Sequence, residues 1–171
     1  MTTSRPEPTS HETFRPLSQD FFNSYPPYVL VNSQEDAKSV LSAGCEAGYL
    51  LVLDADSPPG VKSFKSDEIN EFRGRIGIII YALPSNEYLS IVASRLLELL
   101  AIDGTAIGFA NPEQSIQWKE ACFEWAKAQK TVDAQGQKQD GLTLEWSAKD
   151  VKGKEWVEWT VVKKAPEWAF C

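Results

Sequence analysis

The sequence predicts an α/β fold: a mostly parallel four-stranded sheet with flanking helices, followed by a C-terminal β-hairpin. Two observations carry this. Four short, continuous apolar runs alternate with helical patterns, which calls for parallel strands joined by right-handed crossovers. The last third then changes to strict two-residue alternation on either side of a Gly turn, which is a hairpin signal. The 171 residues suit one domain; 43% are hydrophobic and 24% charged, as in globular chains.

Residues 1–20 carry three prolines, and few of their side chains are apolar, so they read as a flexible arm preceding a single domain over residues 21–171. Pro26-Pro27 delivers the chain to Tyr28-Val29-Leu30-Val31, a run apolar on both faces and hence a buried strand. Asn32 or Ser33 can cap the next helix, whose positive end suits Glu35 and Asp36. Ala37, Val40 and Leu41 form its apolar face, and Gly44 stops it. Tyr49-Leu50-Leu51-Val52-Leu53 is the second strand, leaving through the loop Asp54-Ala55-Asp56-Ser57-Pro58-Pro59-Gly60.

A short helical piece spans Ser66 to Phe72, and Ile76-Gly77-Ile78-Ile79-Ile80-Tyr81 is the third strand. After Pro84-Ser85-Asn86, a helix from Glu87 to about Leu100 has so broad an apolar arc that it is either deeply buried or part of a subunit interface. Asp103-Gly104 turns the chain into the fourth strand, Thr105 to Phe109, and Pro112 opens a helix with Trp118, Ala121, Cys122 and Trp125 on one face. Residues 131–141 read as a polar linker. Beyond it Leu142, Leu144 and Trp146 alternate with polar residues, as do Val157, Trp159 and Val161. All six tryptophans lie from Trp118 onward; buried against the sheet, they would supply a large part of the core.

A net charge of −7 without a basic cluster argues against nucleic acid and anionic membrane as partners. Three widely spaced cysteines, Cys45, Cys122 and Cys171, form neither a disulfide framework nor a zinc motif. With no apolar leader in residues 1–10, the expected compartment is the cytoplasm. His11, the one histidine, lies in the arm, and neither a histidine relay nor a glycine-rich phosphate loop is present.

In a parallel sheet the segments leaving the carboxyl ends of the strands surround the natural crevice. That rule selects Asn32/Ser33, Asp54/Asp56/Ser57, Ser85/Asn86 and Asn111. Asp54 and Asp56 are the candidate catalytic pair: two neighbouring carboxylates can share a divalent cation such as Mg2+, or raise one another's pKa and yield a proton donor. Ser57, Ser85, Asn86 and Thr105 are candidate substrate contacts. The opposing reading is that Asp54 is a turn former whose side chain bonds nearby backbone N–H groups.

The stretch from Ser33 to Ala110 resembles 3,4-dihydroxy-2-butanone 4-phosphate synthase, a magnesium-dependent enzyme acting on ribulose 5-phosphate. The resemblance is carried by Glu35-Asp36-Ala37 with Ala43-Gly44, by Tyr49 to Asp54, by Ser66 to Phe72, by Gly74 to Leu83 and by Gly104-Thr105-Ala106. The family's acidic run after Asp54 and its downstream histidine have no counterpart, so only Asp54 and, loosely, Thr105 carry over. A rival resemblance is to Toprim domains, through Val31 to Ala37 and Ala43-Gly44. There Asn32 stands where the catalytic Glu belongs, and Ala82 and Pro84 where paired aspartates belong.

The resemblances imply a small-molecule enzyme or binder performing lyase- or isomerase-type acid/base chemistry on a carbonyl or hydroxyl compound. The alternative expectation is a non-catalytic interaction module, forming a homodimer through the Glu87 helix or the Trp-rich hairpin.

Overall fold

The computed structural model describes residues 28–83, 88–132, 135–140, 142–151 and 155–165. The expected arm over residues 1–20 lies outside these.

Strand β1 (Tyr28–Val31) opens the fold. Its Val29, Leu30 and Val31 are fully buried, as a run apolar on both faces requires. Helix α1 (Gln34–Ser42) follows after two residues; Ser33 is the N-cap, its hydroxyl accepting from Asp36 N–H at 3.1 Å. Gly44, at φ 111°, ends it in the left-handed conformation glycine takes freely. There Gly44 N–H donates to Leu41 C=O and Cys45 N–H to Val40 C=O. Tyr49 closes a 3-10 turn rather than opening the second strand, so β2 is Leu50–Leu53.

Asp54 then takes φ 53° and swings the chain into β3 (Lys62–Phe64), a polar edge strand parallel to β2. The helical piece expected from Ser66 shrinks to a 3-10 helix at Ile69–Phe72, leading to β4 (Ile76–Ile80), buried throughout. Helix α2 (Leu89–Leu99) lays Val92, Ala93, Leu96, Leu97 and Leu99 into the core, while Ile91 stays exposed, so most but not all of its broad arc is used inside this chain. Strand β5 (Leu100–Ala110) contains an irregularity in its pairing with β4 where Asp103 reaches φ 67°, and α3 (Pro112–Ala128) follows behind an Asn111 cap.

The tail corrects the four-stranded expectation. Strands β8 (Thr143–Asp150) and β9 (Val157–Lys164) form the expected antiparallel hairpin, but β9 pairs with β5, so both join one seven-stranded mixed sheet in the order β3-β2-β1-β4-β5-β9-β8. β3 to β5 are mutually parallel; β9 runs against them. The polar linker is also partly structured, as β6 (Lys130–Val132) pairs with β7 (Lys138–Asp140).

The hairpin docks on β5 because Gly108 leaves room for it: a Cβ there would overlap the Tyr81 carbonyl and approach the Trp159 ring within 2.7 Å. Trp159 is fully buried between Trp118, 5.3 Å away and tilted, and Trp146, stacked at 6.4 Å. Tryptophan burial therefore holds for the best-packed rings.

Lys163 on β9 ties this layer to α2. Its ammonium donates at 2.7 Å to both Leu97 C=O and Leu100 C=O, which the helix end leaves without intrahelical donors, and it lies 5.7 Å from the Trp125 ring centre. Among the described residues no helix is long and apolar enough to cross a membrane.

Candidate functional site

The chain leaves β1 toward β2 and β3 on one side, then returns to place β4 and β5 on the other. The topological switch point therefore lies between the carboxyl ends of β1 and β4, where open α/β sheets bind their ligands. In this protein that crevice is spanned by a side chain. The Asn32 amide Nδ2 donates to Ala82 C=O at 2.9 Å, and its Oδ1 accepts from Ala82 N–H at 2.9 Å. Ser33 and Asn111 are occupied as helix caps.

Asp54 is held just as firmly. Its backbone N–H donates to Phe64 C=O at 2.8 Å, and its carboxylate accepts from Ser66 N–H at 3.1 Å and Ser66 Oγ at 2.6 Å. These bonds tie the end of β2 to the segment after β3, twelve residues on. Asp56 is exposed and Ser57 half-buried nearby. Thr105 lies in the body of β5, opposite Ile78 and Val162, one rung pair before the carboxyl end of β4. Ser85 and Asn86 fall outside the described residues. The structure thus brings Asp54 together with Ser66, not with Thr105. Among the described residues no three His, Cys, Asp or Glu side chains gather to hold a metal ion.

A groove of ≈ 390 Å³ opens beside Ser66, the partner of Asp54, between the β3–β4 connection and α2. Ser66, Asn70 and Arg73 form one wall; Ser90, Ile91, Ser94, Arg95 and Glu98 form the other. Arg73 pairs with Glu98 at 3.2 Å, while Arg95 has no ion-pair partner among the described residues. The start of α2 adds the partial positive charge of a helix N-terminus. Tyr88 at its N-cap makes no side-chain bond and its first turn has no acid, whereas α1 and α3 have both a capping side chain and first-turn acids. Lys163 feels Glu98, Arg73 and above all its own burial, which lowers its pKa to about 8. Sequence reasoning passed over this wall, although Ser90, Ser94 and Glu98 recur every four residues, a polar stripe on one helix face.

No protein-family model matches the chain, and no curated protein is similar to it in sequence. Solved structures are similar in fold. A TehB-like SAM-dependent methyltransferase from Corynebacterium glutamicum superposes with TM-score 0.52 at 14% identity, covering 80% of each chain. A precorrin-6y C5,15-methyltransferase from Geobacter metallireducens gives TM-score 0.50 at 10% identity, covering 96% of this chain and 93% of its own. Spermidine synthase from Thermotoga maritima gives 0.53 at 10% identity, covering 91% of this chain and 59% of its own. At such identities the likeness establishes a methyltransferase-type α/β fold.

This overturns both resemblances drawn from sequence, to dihydroxybutanone phosphate synthase and to Toprim domains, together with the lyase-like chemistry attached to the first. The matching stretches were first-turn acids, a stop glycine and apolar strands such as Leu50–Leu53 and Ile76–Ile80, features common to parallel α/β sheets in general.

The fold raises S-adenosylmethionine as a cofactor in place of Mg2+. A glycine-lined first turn lets a ligand approach the backbone at a switch point. Here Asn32-Ser33 contains no glycine, and the Asn32 side chain occupies the approach. The acid expected beside a ribose, Asp54, is present at the end of β2 and keeps acceptor capacity beyond its two bonds to Ser66, so the misfit rests on Asn32. The residues present do not fit the cofactor at this position.

Proposed function

We propose that the chain uses a methyltransferase-type scaffold to bind a small molecule bearing an oxyanion, such as a phosphate ester or carboxylate, in the groove beside α2. The observation that carries this reading is Arg95: a guanidinium without an ion-pair partner among the described residues, on a wall shared with Ser90 and Ser94 and facing Asn70. A guanidinium presents donors in a planar fork suited to carboxylate and phosphate, and hydroxyls and an amide add neutral donors around it. The uncapped start of α2 contributes in the same sense. Because the protein carries −7 overall, attraction has to come from these local groups rather than from its net field.

The test is calorimetric titration with inorganic phosphate and with glycerol 3-phosphate at fixed ionic strength, on the wild type and on Arg95→Gln. A charge-assisted hydrogen bond contributes about 1.5–3 kcal/mol, so the substitution is expected to weaken binding by roughly 10- to 100-fold while leaving the thermal midpoint unchanged. Absence of saturable heat with either compound, or equal affinity in the variant, refutes the reading.

A further inference from the structure

The feature that the groove leaves unexplained is the Asn32 amide across the switch point. We infer that Asn32 is a staple across this crevice, so that the chain takes no adenosyl cofactor between β1 and β4. Strands β1 and β4 pair in parallel as far as Val31 and Ile80. Beyond that rung a doubly wound sheet parts, because the two strands send their helices to opposite faces, and the gap receives the ligand. Here the gap is bridged by a primary amide, which carries the same donor and acceptor pair as a peptide unit. It meets both polar groups of Ala82 at 2.9 Å, adding in effect one more rung made from a side chain.

Three further details agree. The β1–α1 link is only two residues long and contains no glycine, so a Cβ stands at each position where a ligand would approach the backbone. Ser33 is fixed in extended backbone by its capping bond to Asp36 N–H. Asp54, at the neighbouring strand end, directs its carboxylate to Ser66 N–H and Oγ. A ligand entering here would have to break both Asn32 bonds and offer equivalents.

This concerns a different place from the α2 groove and stands or falls independently of it. The first measurement uses the unaltered protein: amide hydrogen exchange at Ala82 followed by NMR, with calorimetric titration of S-adenosylmethionine and S-adenosylhomocysteine. Ala82 is an exposed residue, yet its N–H is expected to exchange roughly tenfold or more slowly than in an open peptide, and neither compound is expected to give saturable heat up to about 1 mM.

Asn32→Ala should return the Ala82 amide to fast exchange, and Asn32→Asp should do so only in part, since a carboxylate keeps the acceptor and loses the donor. Saturable wild-type binding of either adenosyl compound in the micromolar range overturns the inference. So does fast exchange at Ala82 in the wild type, or unchanged exchange in Asn32→Ala. The wild-type arms decide the matter even if a variant fails to fold.

Discussion

Replacing Lys163 with Met isolates the contribution of one buried cation. The side chain is 8% exposed, and its ammonium supplies the two donors that the end of α2 uses for Leu97 C=O and Leu100 C=O. Methionine has similar length and fills the space without donors, so two buried acceptors lose their partners, at about 1–3 kcal/mol each. A destabilisation of about 2–4 kcal/mol at pH 7 is expected after the relief of burying a charge is set against it.

The pH dependence is more diagnostic. Burial lowers the native pKa from 10.5 to about 8, so between these values the unfolded chain holds a proton that the native protein has released. Stability then rises with pH across that window. From pH 7 to pH 10 the Lys163 contribution should increase by roughly 1–3 kcal/mol, allowing for the part of the ammonium that still meets solvent. Cys45 and Cys122 act in the opposite direction. Burial pushes their thiols from 9.0 up to about 11 and about 12, so the stability they confer is lost as pH rises above 9. Both proteins contain them, and they cancel in the comparison. Urea unfolding followed by tryptophan fluorescence at pH 7, 8, 9 and 10, about one unit apart, gives the difference directly. Parallel stability curves for wild type and Lys163→Met would refute this account of the lysine.

Substitutions at two other positions probe how the sheet is assembled. Gly108→Ala is expected to cost about 3 kcal/mol in urea unfolding, because its methyl group would meet the Tyr81 carbonyl and the Trp159 ring, both of them buried. Asp54→Ala should lose the two Ser66 bonds and also strain a left-handed residue, whereas Asp54→Gly loses only the bonds. The glycine variant should therefore be the more stable of the two by about 1 kcal/mol, and the reverse order would show that the φ of 53° is not a source of strain.

The central strands were legible because Val29 to Val31, Leu50 to Leu53 and Ile76 to Ile80 are apolar on both faces, a pattern that only a covered strand can use. β3 was not. Its Lys62 and Ser63 are exposed, and its pairing depends on the turn at Asp54. The hairpin was visible from alternation, but its docking on β5 was not, since that rests on Gly108 meeting a tryptophan fifty-one residues further on. The site was the least legible part. Asp54 stands at a strand end as expected, but its partner Ser66 is twelve residues away and the Ala82 that meets Asn32 is fifty away. Neither spacing leaves a local trace. Only the α2 stripe did, and the apolar residues interleaved with it drew attention to the core instead.

The position of β9 has a consequence for how the protein comes into being. Emerging from the ribosome, the chain can lay down β1 to β5 with helices long before residue 157 is translated. Until then β5 presents an open border and Trp118 lacks the ring that covers it. A nascent chain thus waits with its hydrophobic layer unfinished, in the condition most prone to pairing with a neighbour. Completion arrives from the far end of the sequence, when Trp159 and Lys163 are inserted together and the last strand acts as a bolt rather than as a decoration on a finished sheet.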